Sequence, residues 1–109
     1  MRTYELMFIL SSELNEEETE AMEERIRGYL ENAEAEILDF KDVGLRRLAY
    51  TIKGQKEGRY YLAHFKIDPQ RVKEFERSLQ LLEVVLRELI TRVDTLPASA
   101  QEAAGATSS

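Results

Sequence analysis

The chain has 109 residues, 43% of them apolar and 33% charged, and a formal net charge of −6, which suits one domain with a modest core. It contains no cysteine, so disulfides, thiolate metal sites and a cysteine nucleophile are excluded within it, and the composition fits a reducing compartment. No apolar stretch approaches the roughly 20 residues of a membrane span, and the run Leu6–Leu10 is too short for a secretory signal, so a cytoplasmic protein is the expectation.

Residues 3–10 alternate, with Tyr4, Leu6, Phe8 and Leu10 on one face and Thr3, Glu5, Met7 and Ile9 on the other, which predicts a strand. Ser11-Ser12 ends it. Asn15 followed by Glu18 forms a capping-box pattern, and acids crowd the first turn, where the helix dipole favours them. Met22, Ile26, Tyr29, Leu30 and Ala33 then make a helical stripe, interrupted by Gly28 at a cost of about 1 kcal/mol relative to Ala. Residues 36–52 return to strand character, with Gly44 as a candidate bulge. Lys53–Gly58 reads as a polar loop, and Arg59–Ile67 as a third strand. Asp68-Pro69 opens a second helix with Val72, Phe75, Leu79 and Leu82 as its buried stripe. Residues 84–93 form the last strand. Its facing is ambiguous, since Leu86 and Ile90 fall on one parity and Leu89 and Val93 on the other.

The order β-α-β-β-α-β predicts an α+β, ferredoxin-like split βαβ fold, a four-stranded antiparallel sheet with two helices on one face. The first and third strands lie side by side in the centre. The uncovered face carries Glu5, Met7, Ile9, Tyr60, Leu62 and His64, apolar enough that Met7, Ile9, Tyr60 and Leu62 are expected to meet a partner. The expected domain is 1–95. Residues 96–109, rich in Ala, Ser, Gly and Thr, are expected to be a flexible C-terminal tail.

Charge is unevenly distributed. Between Glu13 and Asp39 eleven acids face two arginines, a net of −9, whereas Phe40–Arg59 carries six bases against two acids, a net of +4. The basic segment contains Gly44-Leu45-Arg46-Arg47-Leu48-Ala49-Tyr50, two arginines and a tyrosine in a short apolar run. Guanidinium groups fork onto phosphate oxygens and an aromatic ring stacks on bases, which suits RNA better than catalysis. The bland alternative is a solvated strand edge or a salt-bridged pair.

Met1-Arg2-Thr3-Tyr4-Glu5 at the start, the GLRRLAY run about 40 residues on, the Gly58-Arg59-Tyr60-Tyr61-Leu62 strand and Asp68-Pro69 together resemble the family of the sixth protein of the bacterial small ribosomal subunit, over about residues 2–94. The resemblance implies a structural, non-enzymatic role. It implies binding to the central domain of small-subunit rRNA jointly with small-subunit protein eighteen, a small basic chain. Arg2, Tyr4, Arg46, Arg47 and Tyr50 fall on the family's motifs and are the candidate RNA-binding residues. Charge and position add Lys53, Lys56, Arg59 and Arg92.

Other chemistries find little support. His64 is the only histidine and has no cysteine beside which to ligate a metal, so it reads as a half-exposed strand histidine. The acids of 16–24 read as a solvated helix face. No Gly-rich phosphate loop precedes a helix, no nucleophile and base assemble, and no cofactor is expected. The open sheet invites comparison with the RRM, but the alternating Gly and aromatic consensus is missing. The alternative function is a ferredoxin-like ligand-sensing or protein-interaction module. The loop Ser11-Ser12-Glu13-Leu14 after the first strand suits neither that nor an acylphosphatase, which needs an arginine there.

Overall fold

A computed structural model describes residues 1–93 of the chain; the tail expected at 96–109 lies outside the described residues. The elements are β1 (Arg2–Ser11), α1 (Glu16–Asn32), β2 (Glu36–Ile52), β3 (Gln55–Ile67), a 3-10 turn (Pro69–Arg71), α2 (Val72–Gln80) and β4 (Val85–Val93). The strands lie in the order β2-β3-β1-β4, all neighbours antiparallel, as the split βαβ reading requires.

Period-two patterning builds the core. Tyr4, Leu6, Phe8 and Leu10 of β1 stand beside Phe65, Ala63, Tyr61 and Arg59 of β3, and the apolar members close against Ile26 and Leu30 of α1 and Phe75 and Leu79 of α2. The Phe8 and Tyr61 rings stack with centroids 4.7 Å apart, and Phe65 meets Phe75 edge-on at 5.6 Å. The α1 capping box forms as the spacing predicts: Glu18 N–H donates to the Asn15 side chain at 2.8 Å, and Asn15 N–H donates to the Glu18 carboxylate at 2.9 Å. Asp68 accepts from Gln70 N–H at 3.0 Å, but what it caps is the 3-10 turn; α2 itself begins at Val72.

Three local expectations change. The polar loop of 53–58 is only a two-residue turn, because Lys53 and Gly54 take positive φ (49° and 78°) and Ile52 pairs directly with Gln55. Positive φ at both central positions is the type I′ pattern whose twist matches paired strands. The parity conflict in β4 dissolves in a register shift: Leu10 pairs with Val85 and Ile9 with Arg87, so the intervening Leu86 is the extra residue of a bulge. Val85 and Ile90 therefore join the helix-side core, whereas Leu86 packs with Ile9 on the opposite face. Tyr4, a candidate RNA-binding residue, is buried, its ring stacked on Phe65 at 6.0 Å. Gly44 does mark a bulge, with φ of 104° and a register shift between Asp42 and Gly44.

Two positions give stability predictions. A Cβ on Gly58 would fall onto Cγ2 of the buried Ile9 and sit 3.3 Å from the Leu10 carbonyl oxygen. Gly58→Ala is expected to lower stability by about 1–3 kcal/mol in urea denaturation, as overpacking does. Glu88 lies opposite Phe8 on the helix side, accepts from Gln80 Nε2 at 3.1 Å, and has its other oxygen buried with no hydrogen-bond partner among the described residues. Burial, and beyond it the Glu76 carboxylate, hold the Glu88 carboxyl above its ordinary value, against the opposing pull of the Gln80 amide. The folded state thus binds this proton more tightly than the unfolded chain, and the associated stability is full below the ordinary 4.5 and lost as pH rises through the folded value. Glu88→Gln should be more stable than the parent at neutral pH, and the difference should shrink on acidification; melting curves across pH check this.

Candidate nucleic-acid interface

The β2–β3 hairpin is longer than the sheet it belongs to. Its regular pairing stops at Arg47 opposite Glu57 and resumes only at Ile52 opposite Gln55. The outer end bends over the face that the helices leave uncovered. Leu48 is buried there against Ile9 and Leu86, with Ile52, Met7 and Tyr60 packed around them. Polar contacts fasten the same arm. Lys53 Nζ donates to the carbonyls of Glu83 and Val85, each at 3.3 Å. Gln55 Oε1 accepts from the Ser11 hydroxyl at 2.8 Å and from Ser12 N–H at 3.2 Å. The Arg87 guanidinium donates to the Tyr50 hydroxyl, its carbon 5.8 Å from the ring centroid.

Among the candidate residues the arm brings together Arg47, Tyr50 and Lys56, which line a surface hollow of about 210 Å³ with Leu48, Ala49 and Thr51. Arg46 is exposed next door, but adjacent strand residues point to opposite faces, so the arginine pair is divided between the two sides of the hairpin. Lys53 belongs to the arm's fastening. Arg59 is elsewhere: it stands on the helix side in a two-oxygen contact with Asp42, at 2.9 and 3.2 Å. Arg2 lies at the opposite end of β1, about 30 Å along the strand from Ser11, and Arg92 pairs with Tyr4 at that same end, on the helix side. The set assigned from sequence thus splits between two ends of the sheet. Arg87 escapes a reading of the sequence because its outward facing depends on the bulge.

The uncovered face also differs from expectation. Ile9 is buried beneath Leu48, so it is not a free contact residue. Met7 and Leu62 remain adjacent across β1 and β3, and Leu89 of β4, exposed beside Met7, extends their row. His64 is buried, not half-exposed. Its Nδ1 is 2.9 Å from Asp39 and its Nε2 is 3.1 Å from Glu5, an acid–imidazole–acid row across three strands.

The acidic surface is on the other layer. Glu16, Glu20 and Glu23 of α1, with Asp42 and Arg59, border a hollow of about 510 Å³. Burial, then the hydrogen bond it donates to Glu23, push the Tyr61 hydroxyl well above the ordinary phenol range, so it stays protonated. No cluster of three His, Cys, Asp or Glu side chains among the described residues could hold a metal ion, and no described helix is long and apolar enough to cross a membrane.

The family model described as Ribosomal protein S6 matches residues 3–92. The chain belongs to the ribosomal protein S6 family. It is 42% identical over 94 residues to small ribosomal subunit protein bS6 of Caldanaerobacter subterraneus subsp. tengcongensis, covering 86% of this chain and 99% of the relative. Identity to small ribosomal subunit protein bS6 of Halalkalibacterium halodurans is 40% over 92 residues, 84% of this chain and 97% of the relative. The crystal structure of 30S ribosomal protein S6 from Thermotoga maritima superposes with a TM-score of 0.80 at 28% identity, covering 99% of this chain and 98% of that one. Membership makes this a structural small-subunit protein and not an enzyme, and it bears out the resemblance carried by the terminal and GLRRLAY motifs.

Because Leu48 is the arm's main apolar anchor, Leu48→Ala is expected to release the arm before it unfolds the sheet. Hydrogen exchange should speed up at residues 49–56, while the amides of β1 and β3 opposite the helices keep their protection.

Proposed function

We propose that the protein binds the central domain of small-subunit rRNA jointly with small-subunit protein eighteen, stabilising the RNA without chemistry, and works in the cytoplasm as part of the ribosome. The arm supports this reading most: on a chain of net charge −6, it holds Arg47 and Lys56 around an exposed tyrosine, with Arg46 exposed on the other side of the hairpin. These residues would carry the main RNA contact. Arg2, exposed at the far end of β1, would supply a second, separate positive point. Tyr4, Lys53 and Arg59 are already engaged within the fold and leave the contact set.

The apolar row Leu62–Met7–Leu89, with Tyr60 beside it, would receive the basic protein partner on the uncovered face. The ligand-sensing alternative loses its loop, since the Ser11 hydroxyl and Ser12 N–H both donate to Gln55. The domain would comprise residues 1–95, with 96–109 as an appended tail.

Two measurements test the reading. The isolated chain should bind rRNA fragments feebly at physiological salt, and adding protein eighteen should raise the affinity sharply; tight binding without the partner would overturn the joint scheme. Replacing Arg46 and Arg47 together by Ala should weaken joint binding and flatten the slope of log K against log salt by about 0.7–0.9 for each phosphate that is no longer neutralised. The melting temperature should hardly move, because both side chains are exposed.

A further inference from the structure

We infer that the Tyr50 ring is a stacking platform for one unpaired RNA base, with Arg47 and Lys56 gripping the phosphate beside it. This rests on the RNA-binding reading above and names the form of RNA that the arm takes. The ring is 58% exposed, an unusual position for a large aromatic side chain, yet it is not loose. Arg87, from a strand at the other edge of the sheet, donates to its hydroxyl, with the guanidinium carbon 5.8 Å from the ring centroid. Leu48, two residues earlier, is buried, and Lys53, three residues later, is tied to the backbone around β4. An aromatic held this way loses little side-chain freedom when a base lands on it, which is what makes a platform effective.

The chemistry around the ring selects the ligand. Arg47 and Lys56 line the same hollow and make no ion pair among the described residues, so both charges are available to an anion. The hollow, about 210 Å³, is smaller than the ~300–1,000 Å³ of small-molecule pockets and suits one planar ring. Duplex RNA keeps its base faces stacked on each other, so only a loop, a bulge or an unpaired end can offer one to a side chain. The Tyr50 hydroxyl is already engaged by Arg87, which leaves the ring face as the recognition element and makes the contact tolerant of base identity. Arg87 is a positioning residue here.

The test uses NMR titration of the full chain at low salt with two probes, an unstructured oligouridylate and a blunt-ended RNA duplex. Oligouridylate should move the Tyr50 ring protons upfield and shift the Arg47 and Lys56 amides; the duplex should shift the amides only. Tyr50→Leu should weaken oligouridylate binding about tenfold with the salt slope unchanged, whereas Tyr50→Phe should keep the affinity within about twofold. Arg47→Ala with Lys56→Ala should lower the salt slope. If neither probe shifts Arg47 or Lys56, the RNA-binding reading of the arm is wrong. If the amides shift but the Tyr50 ring does not, or if the Phe variant loses as much as the Leu variant, the arm binds RNA without stacking and this inference falls.

Discussion

Two helices cover only one face of a four-stranded sheet, and the treatment of the other face governs the rest of the molecule. On the helix side, the alternate residues of β1 and β3 meet Ile26, Leu30, Phe75 and Leu79 and form a closed core. On the other side, Ile9 and Leu86 would stand in water. The long hairpin prevents this by laying Leu48 and Ile52 over them. Gly58 is part of that solution, since the branched methyl of Ile9 occupies the space a side chain there would need. The contact that shields the sheet is therefore also the contact that carries Arg47, Tyr50 and Lys56 to their place.

Charge follows the same division into layers. The acids of α1 are exposed except Glu23, which accepts from the buried Tyr61, and Arg27 of the same helix lies over the Phe40 ring at 4.2 Å. Asp42 takes up Arg59 on that side. Arg47 and Lys56, with no ion pair among the described residues, are on the arm, across the sheet. A polyanion approaching the helix layer meets repulsion, and one approaching the arm meets attraction, so the net negative charge orients the encounter as much as it weakens it. Buried between the two regions, His64 occupies both ring nitrogens with carboxylates, which absorbs Glu5 and Asp39 where free acids would border the uncovered face.

The element order, the sheet topology, the α1 cap and the Gly44 bulge were all legible in the sequence, because each depends on residues near one another in the chain: a period of two or 3.6, a side chain three residues from a free N–H, a glycine in a strand. The family was legible for a related reason, since its motifs are contiguous runs. What only the tertiary structure decided is where distant segments meet. Nothing local to Tyr4 reveals that its ring stacks on Phe65, nor that Ile9 lies under Leu48 from far along the chain, nor that Arg59 belongs to Asp42 and not to the arginine pair. The facing of Arg87 and Leu89 hinges on one extra residue in β4, and a one-residue shift exchanges the two faces of everything beyond it. The site is made of such long-range contacts, so its residue types could be read from the sequence but their grouping could not.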